Sequence, residues 1–235
     1  MTDTKDSICL PFETVDSPIN DRVMLTEHKD GFRMGTDSVL LSKFVKALPR
    51  EKGVDLGTGS GVIPLLLLSE GKGGEITGIE IQSSLYYLAT LNSEKNGFSH
   101  CFKAINGDIR DIKQLYPHES ADFVTLNPPY FKEGSGKQSE GIEKLTARHE
   151  MNGDIRDFCA AASHCLKFGG RFYAVFRADR LTELLYAMKE NKIEAKHIEF
   201  ICKRNNAETV LISGIKGAKV GLKVTVEESK TVTSK

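Results

Sequence analysis

The chain has 235 residues, 40% hydrophobic and 27% charged, which suits one sizeable folded domain and excludes a disordered segment. No apolar run reaches the roughly 18 residues of a membrane helix, and the polar start, residues 1–6, has no apolar signal core behind it, so a cytoplasmic protein without a membrane partner is expected. Formal net charge is zero, with 13 basic and 17 acidic residues in 1–120 against 19 and 15 in 121–235, which excludes a strongly basic nucleic-acid binder but leaves room for a basic face on the second half.

Residues 1–30 are mixed in pattern and are assigned to no element. Thr36 or Asp37 caps a helix carrying Val39, Leu40, Leu41, Phe44 and Val45, expected to run to about Leu48 because Pro49 discourages continuation. From Gly53 the order becomes strand, glycine turn, helix, repeated. Strands are expected at 54–56, 75–80, 101–105, 121–126 and 171–176, and two closing strands at 193–202 and 208–213. Helices are expected at 60–69, 82–96, 155–166 and 181–190, the third stopped at Gly169-Gly170. This alternation predicts an α/β fold with a largely parallel sheet and ligands at the carboxyl ends of its strands. The polar stretch 132–153 reads as a substrate lid. Residues 216–235, rich in lysine, read as an edge strand or a basic tail. The domain reading is an N-terminal extension at 1–35, a catalytic domain at 36–215 and the tail.

The turn Gly57-Thr58-Gly59-Ser60-Gly61 joins the first strand of this series to its helix, with Asp55 just before it. Its glycines allow close approach of a ligand to bare backbone. A dinucleotide fingerprint would need a small residue where Val62 stands. The spacing resembles instead the first motif of class I S-adenosylmethionine methyltransferases. Asp55 could then attract the cofactor's ammonium directly or through water. Glu80, at the end of the second strand, can accept hydrogen bonds from two ribose hydroxyls, with Ile81 beside it. The resemblance implies that Asp108 accepts the adenine amino group and that the Ile109 backbone N–H meets the ring.

Asn127-Pro128-Pro129-Tyr130 follows the fourth strand. The prolines stiffen the backbone and remove two N–H groups, leaving carbonyl acceptors beside an amide side chain. Asn127 Oδ1 and the Pro128 carbonyl can each take one hydrogen of a substrate –NH2. Tyr130 offers a face for stacking a planar group. The motif predicts methyl transfer to a planar amino nitrogen by positioning and electrostatics, without a strong base. His149 and Arg148 read as solvated loop residues. The five cysteines, Cys9, Cys101, Cys159, Cys165 and Cys202, form no CxxC pair, so neither a metal site nor a disulfide framework is expected.

Residues 31–38, the glycine turn, Asn127 to Phe131, Ala147-Arg148-His149-Glu150 and Glu208-Thr209-Val210-Leu211 together resemble the bacterial tRNA1(Val) (adenine(37)-N6)-methyltransferase family. The resemblance spans roughly residues 20–215. It implies a Rossmann-like, seven-stranded, mostly parallel sheet with helices on both faces and the last strand antiparallel. It also implies tRNA as substrate, methylated at the adenine beside the anticodon. The basic balance of the second half offers Lys132, Lys137, Lys203 and Arg204 as candidates for a docking face. The alternatives are glutamine methylation on a release factor, guanine-N2 methylation of ribosomal RNA, and a cofactor-binding RNA partner without catalysis. Only about 50 residues precede the fold, too few for the helical domain usual in the glutamine enzymes. Oligomeric state stays open, a monomer being slightly favoured.

Overall fold

The computed structural model describes residues 12–29, 34–128, 153–203 and 206–228, the side chain of Lys203 excepted. Pro129, Tyr130, the expected lid up to residue 152, His149, Arg148, Lys132, Lys137 and Arg204 lie outside the described residues.

The centre is an eight-stranded sheet. Its strands are β3 (Lys52–Leu56), β4 (Glu75–Glu80), β5 (Phe102–Asn106), β6 (Ala121–Leu126), β7 (Leu166–Arg177), β8 (Ile193–Lys203), β9 (Asn206–Lys216) and β10 (Lys223–Glu228), in the order β10-β8-β9-β7-β6-β3-β4-β5. β3 to β7 pair in parallel, and β9 runs antiparallel between β7 and β8. The seven strands β3 to β9 are thus the expected sheet, and β10 adds an eighth at the edge, parallel to β8.

The strand sequences explain the layering. Phe123, Tyr173 and Val175 face one side, while Val124, Leu126, Phe172, Ala174 and Phe176 face the other. This period of two exposes apolar residues on both faces, so both must be covered. Helices α1 (Thr36–Phe44) and α2 (Val62–Ser69) cover the first face through Leu41, Val45, Ile63 and Leu67. Helices α5 (Ile155–Cys165) and α6 (Leu181–Glu190) cover the second through Phe158, Cys159, Ala162, Leu184 and Met188. Helix α3 (Ser83–Lys95) lies against β4 and β5, and α4 (Ile112–Leu115) is one turn long. Pro64 sits in the first turn of α2, where the first helical bond is made by the Leu65 N–H to the Gly61 carbonyl, so the missing N–H costs nothing.

The strand order reverses at β3, which has β4 on one side and β6 on the other. A crevice opens at such a point beyond the carboxyl ends of the strands. The glycine turn after β3 and Asn127 after β6 are therefore brought to one place by topology.

Several boundaries differ from the sequence expectation, and the N-terminal segment gains an element. Helix α1 ends at Phe44 rather than Leu48, and its N-cap is Gly35, with no side-chain cap from Thr36 or Asp37. β7 begins at Leu166 and runs across Gly169-Gly170, because the pairing with β6 shifts register there and Gly169 adopts φ +80°. The N-terminal segment forms a hairpin, β1 (Thr14–Asn20) with β2 (Val23–His28). Asn20 closes its turn by accepting the N–H groups of Arg22 and Val23, both at 2.8 Å. The hairpin is docked by Asn92, fully buried on α3. Its amide accepts the Thr26 N–H at 2.8 Å and donates to the Thr26 and Ser60 carbonyls, both at 2.9 Å. Asn96, one turn later, does the same for Met24. Two side-chain amides thus stand in for a neighbouring strand.

Candidate active site

The turn after β3 is fastened to β4 by its backbone. The N–H groups of Gly57 and Thr58 both donate to the Ile79 carbonyl, at 2.9 and 3.0 Å. Thr58 is buried, and its side chain fills the space over Gly78; a Cβ added there would come within 2.7 Å of it. Gly59 and Gly61 both hold positive φ, +58° and +86°. Their surroundings differ. A Cβ on Gly61 would meet the Phe102 ring at 2.7 Å, whereas one on Gly59 meets nothing within 4 Å. Gly61 thus faces the core and Gly59 an open space.

Asp55 sits in the middle of this construction at 1% exposure. Its register partners are Gly78 on β4 and Thr125 on β6. Oδ1 accepts from Thr125 Oγ1 at 2.6 Å and Oδ2 from Thr58 Oγ1 at 2.7 Å. Burial raises its pKa to about 7; the two hydroxyls pull it down, and nearby Glu80 pushes it up further. A carboxylate so enclosed braces the turn through Thr58 and ties it to β6 through Thr125.

Glu80 ends β4 and is also buried. Oε2 accepts the Gly59 N–H and Oε1 the Gln82 N–H, each at 2.9 Å. Burial raises its pKa, opposed by the backbone N–H groups of Gln82, Gly59 and Ile81. Two oxygens offer about four acceptor sites, so capacity for hydroxyl donors remains. Asn106, at the end of β5, donates to the Glu80 carbonyl at 2.8 Å and the Ile81 carbonyl at 3.2 Å, and accepts from Ser83 Oγ at 3.0 Å. This clamp fixes the strand end on which Glu80 stands.

Asp108 opens the short helical turn Ile109–Asp111 and caps it by accepting the Arg110 N–H at 2.9 Å. The Arg110 guanidinium also reaches it, with Nε 2.8 Å from Oδ2, and this contact foremost holds the Asp108 carboxyl below the usual range. Asp108 keeps partial exposure, while the next residue, Ile109, is buried.

Asn127 follows β6, and Pro128 behind it is buried. Asn127 Nδ2 donates to Ser38 Oγ of α1 at 3.1 Å, a contact across 89 residues of sequence. Among the described residues no donor meets its Oδ1. The structure therefore gathers Gly57, Thr58, Gly59, Gly61, Asp55, Glu80 and Ile81 around the β3 and β4 ends, places Asp108 and Ile109 after β5, and sets Asn127 and Pro128 after β6. Three further contributors were not expected from sequence: Ser38, Asn106 and Thr125. Thr125 left a trace there, as a polar residue inside the apolar strand 121–126. Among the described residues no group of three or more His, Cys, Asp or Glu could hold a metal ion, and no helix is long and apolar enough to cross a membrane.

The residues fit a nucleoside-bearing cofactor with an amino-acid tail. There is open space above bare Gly59 backbone, a carboxylate with spare acceptor capacity at a strand end, and a second carboxylate followed by a buried isoleucine.

Comparison with known proteins agrees. The family model for the methyltransferase small domain matches residues 29–200. A tRNA1(Val) (adenine(37)-N6)-methyltransferase of Porphyromonas gingivalis is 30% identical over 174 residues, covering 71% of this chain and 68% of that protein. A protein of the same name from Vibrio campbellii is 30% identical over 121 residues, 52% of this chain and 48% of that one. Among solved structures, a predicted O-methyltransferase from Agrobacterium tumefaciens superposes with a TM-score of 0.65 at 20% identity, covering 83% of this chain and 90% of that one. TrmN from Thermus thermophilus gives 0.58 at 20% identity, over 76% and 48%; both show the shared fold. The chain belongs to the methyltransferase small domain family and, within it, to the tRNA1(Val) (adenine(37)-N6)-methyltransferase family, enzymes whose methyl donor is S-adenosylmethionine.

Proposed function

We propose that this chain methylates N6 of adenine 37 in a tRNA anticodon loop, in the cytoplasm. The observation that carries the reading is the placement of Asn127 and Pro128 at the carboxyl end of β6, beside the β3 turn and the end of β4. The names of the relatives supply the acceptor to try first, tRNA1(Val).

In this reading Glu80 takes the ribose hydroxyls and Asp108 the adenine amino group of the cofactor, with Ile81 and Ile109 against the ring. The backbone at Gly57 and Gly59 lies along the amino-acid part. Asp55 holds the turn in shape through Thr58. Bound there, S-adenosylmethionine supplies a methyl group made electrophilic by its sulfonium.

The chain's own residues prepare the acceptor. An adenine amino nitrogen shares its lone pair with the ring and is a poor nucleophile. Asn127 Oδ1 and the Pro128 carbonyl accept its two hydrogens, which favours a more tetrahedral nitrogen and frees the lone pair. No strong base is required, because the nitrogen becomes acidic only as the new bond forms. Tyr130 stacks on the base, a contact worth roughly 1–3 kcal/mol. An anticodon loop is single-stranded, so exposing the base costs little. The lid at 132–153 and the basic residues Lys132, Lys137, Lys203 and Arg204 provide phosphate contacts, of which one stem-loop needs few.

The test is transfer from labelled cofactor to total tRNA, ribosomal RNA and release factor, followed by nucleoside mass spectrometry. Label in N6-methyladenosine from tRNA is expected. Label confined to guanine of ribosomal RNA, or to protein glutamine, would overturn the choice of acceptor.

A further inference from the structure

Ser38 is a buried hydroxyl on helix α1. It lies in the first turn of α1 at 7% exposure, and alanine is the better helix former. A buried hydroxyl without a partner costs roughly 1–3 kcal/mol. The neighbouring serine on this helix, Ser42, meets the requirement locally by donating to the Val39 carbonyl at 2.9 Å. Ser38 meets it across the molecule, at Asn127 Nδ2.

Helix α1 is firmly seated. Leu41 and Val45 are buried in the core. The Phe44 ring meets Tyr173 edge-on at 6.2 Å, and Tyr173 Oη donates to the Lys46 carbonyl at 3.0 Å. Lys72 Nζ donates to the Ser42 carbonyl at 2.7 Å. The hydroxyl of Ser38 is thus a fixed point beside the strand end.

An asparagine amide rotates about a broad, roughly two-fold torsion. Left alone, Asn127 could turn its plane away from the crevice. With Nδ2 held by Ser38, the amide plane is set and Oδ1 diverges from the helix by the geometry of the amide group itself. We propose that Ser38 is a positioning residue for methyl transfer, orienting Asn127 so that its Oδ1 accepts from the substrate amino group. This rests on the proposed role of Asn127 in holding that group. A serine hydroxyl both donates and accepts, so it fixes the plane, and the substrate's two donors fix which end faces them.

The experiment compares wild type, Ser38→Ala, Asn127→Ala and the double variant in single-turnover transfer to tRNA, with affinity for S-adenosylhomocysteine measured on each. Ser38→Ala should lower the transfer rate about tenfold with cofactor affinity unchanged, the size of a lost side-chain hydrogen bond. Added to Asn127→Ala, it should lower the rate no further. An unchanged rate in Ser38→Ala, or an equal loss in both backgrounds, overturns the proposal. A second readout needs no activity: the side-chain amide resonances of Asn127, assigned by their loss in Asn127→Ala. Protons protected from exchange in wild type and unprotected in Ser38→Ala are expected; equal protection in both overturns the proposal. If wild type transfers no methyl to tRNA, the proposed acceptor fails, while the resonances still decide the role of Ser38.

Discussion

Gly59 and Gly61 share a left-handed backbone but not a neighbourhood, and this separates folding from cofactor binding. Replacing either by alanine forces a side chain into positive φ, at a cost of about 1–2 kcal/mol. At Gly61 the new Cβ also meets the buried Phe102 ring at 2.7 Å. Overpacking of that kind adds about 1–3 kcal/mol. For a chain of this size, each kcal/mol lowers Tm by roughly 3 °C. Gly61→Ala should therefore lose about 6–15 °C in a thermal melt, and Gly59→Ala only about 3–6 °C. In calorimetric titration with S-adenosylhomocysteine the order reverses. The Gly59 methyl stands in the open space assigned to the cofactor, so its affinity should fall at least about tenfold, the scale of a small steric intrusion into a packed site. Gly61→Ala, measured below its melting temperature, should bind within a few-fold of wild type. Wild-type affinity in Gly59→Ala would refute the placement of the cofactor over this turn.

Asp55→Asn tests the buried carboxyl. Its folded pKa of about 7 lies above the unfolded value of 3.8, so the folded state holds the proton more tightly. The stability it contributes is complete below pH 4 and is lost as pH rises through 7. Relative to Asp55→Asn, wild type should lose roughly 3 kcal/mol between pH 5 and pH 8 in urea titrations; parallel profiles would contradict this. Glu80→Gln places an amide where the Gly59 and Gln82 N–H groups need two acceptors, so affinity for S-adenosylhomocysteine should drop about 10–100-fold; unaltered binding would remove Glu80 from the cofactor site. Asn92→Ala strands the buried Thr26 N–H and should cost about 3 kcal/mol in urea, with cofactor binding retained. A loss under about 1 kcal/mol, the worth of one ordinary hydrogen bond, would show that Asn92 is not what docks the hairpin.

The parts of the fold legible in the sequence were those with strong local grammar. The strand 121–126, the helix 181–190 and the carboxylates at strand ends follow from periodicity and glycine turns, which act within a few residues. The hairpin was not legible because its second strand is satisfied by Asn92 and Asn96, and an asparagine on a helix gives no sign of what its amide will meet. The end of α1 was misplaced because Pro49 marks only where a helix must have stopped. β7 was shortened because Gly169-Gly170 reads as a terminator, whereas the register shift against β6 absorbs it. In the site, Glu80 and Asp108 could be picked out by position, but the enclosure of Asp55 depends on Thr125, a register partner that only pairing reveals. The contact of Ser38 with Asn127 is longer-range still and has no local signature.

In the proposed reaction Asn127 holds the acceptor amino group. Single-turnover methyl transfer by Asn127→Ala, with cofactor affinity measured on the same preparation, addresses it most directly. Near-wild-type affinity for S-adenosylhomocysteine is expected, with a rate lowered by about 10²–10³ or more, the loss seen when one preorganised polar contact to a reacting group is removed. A variant that binds cofactor and transfers methyl at the wild-type rate would contradict it.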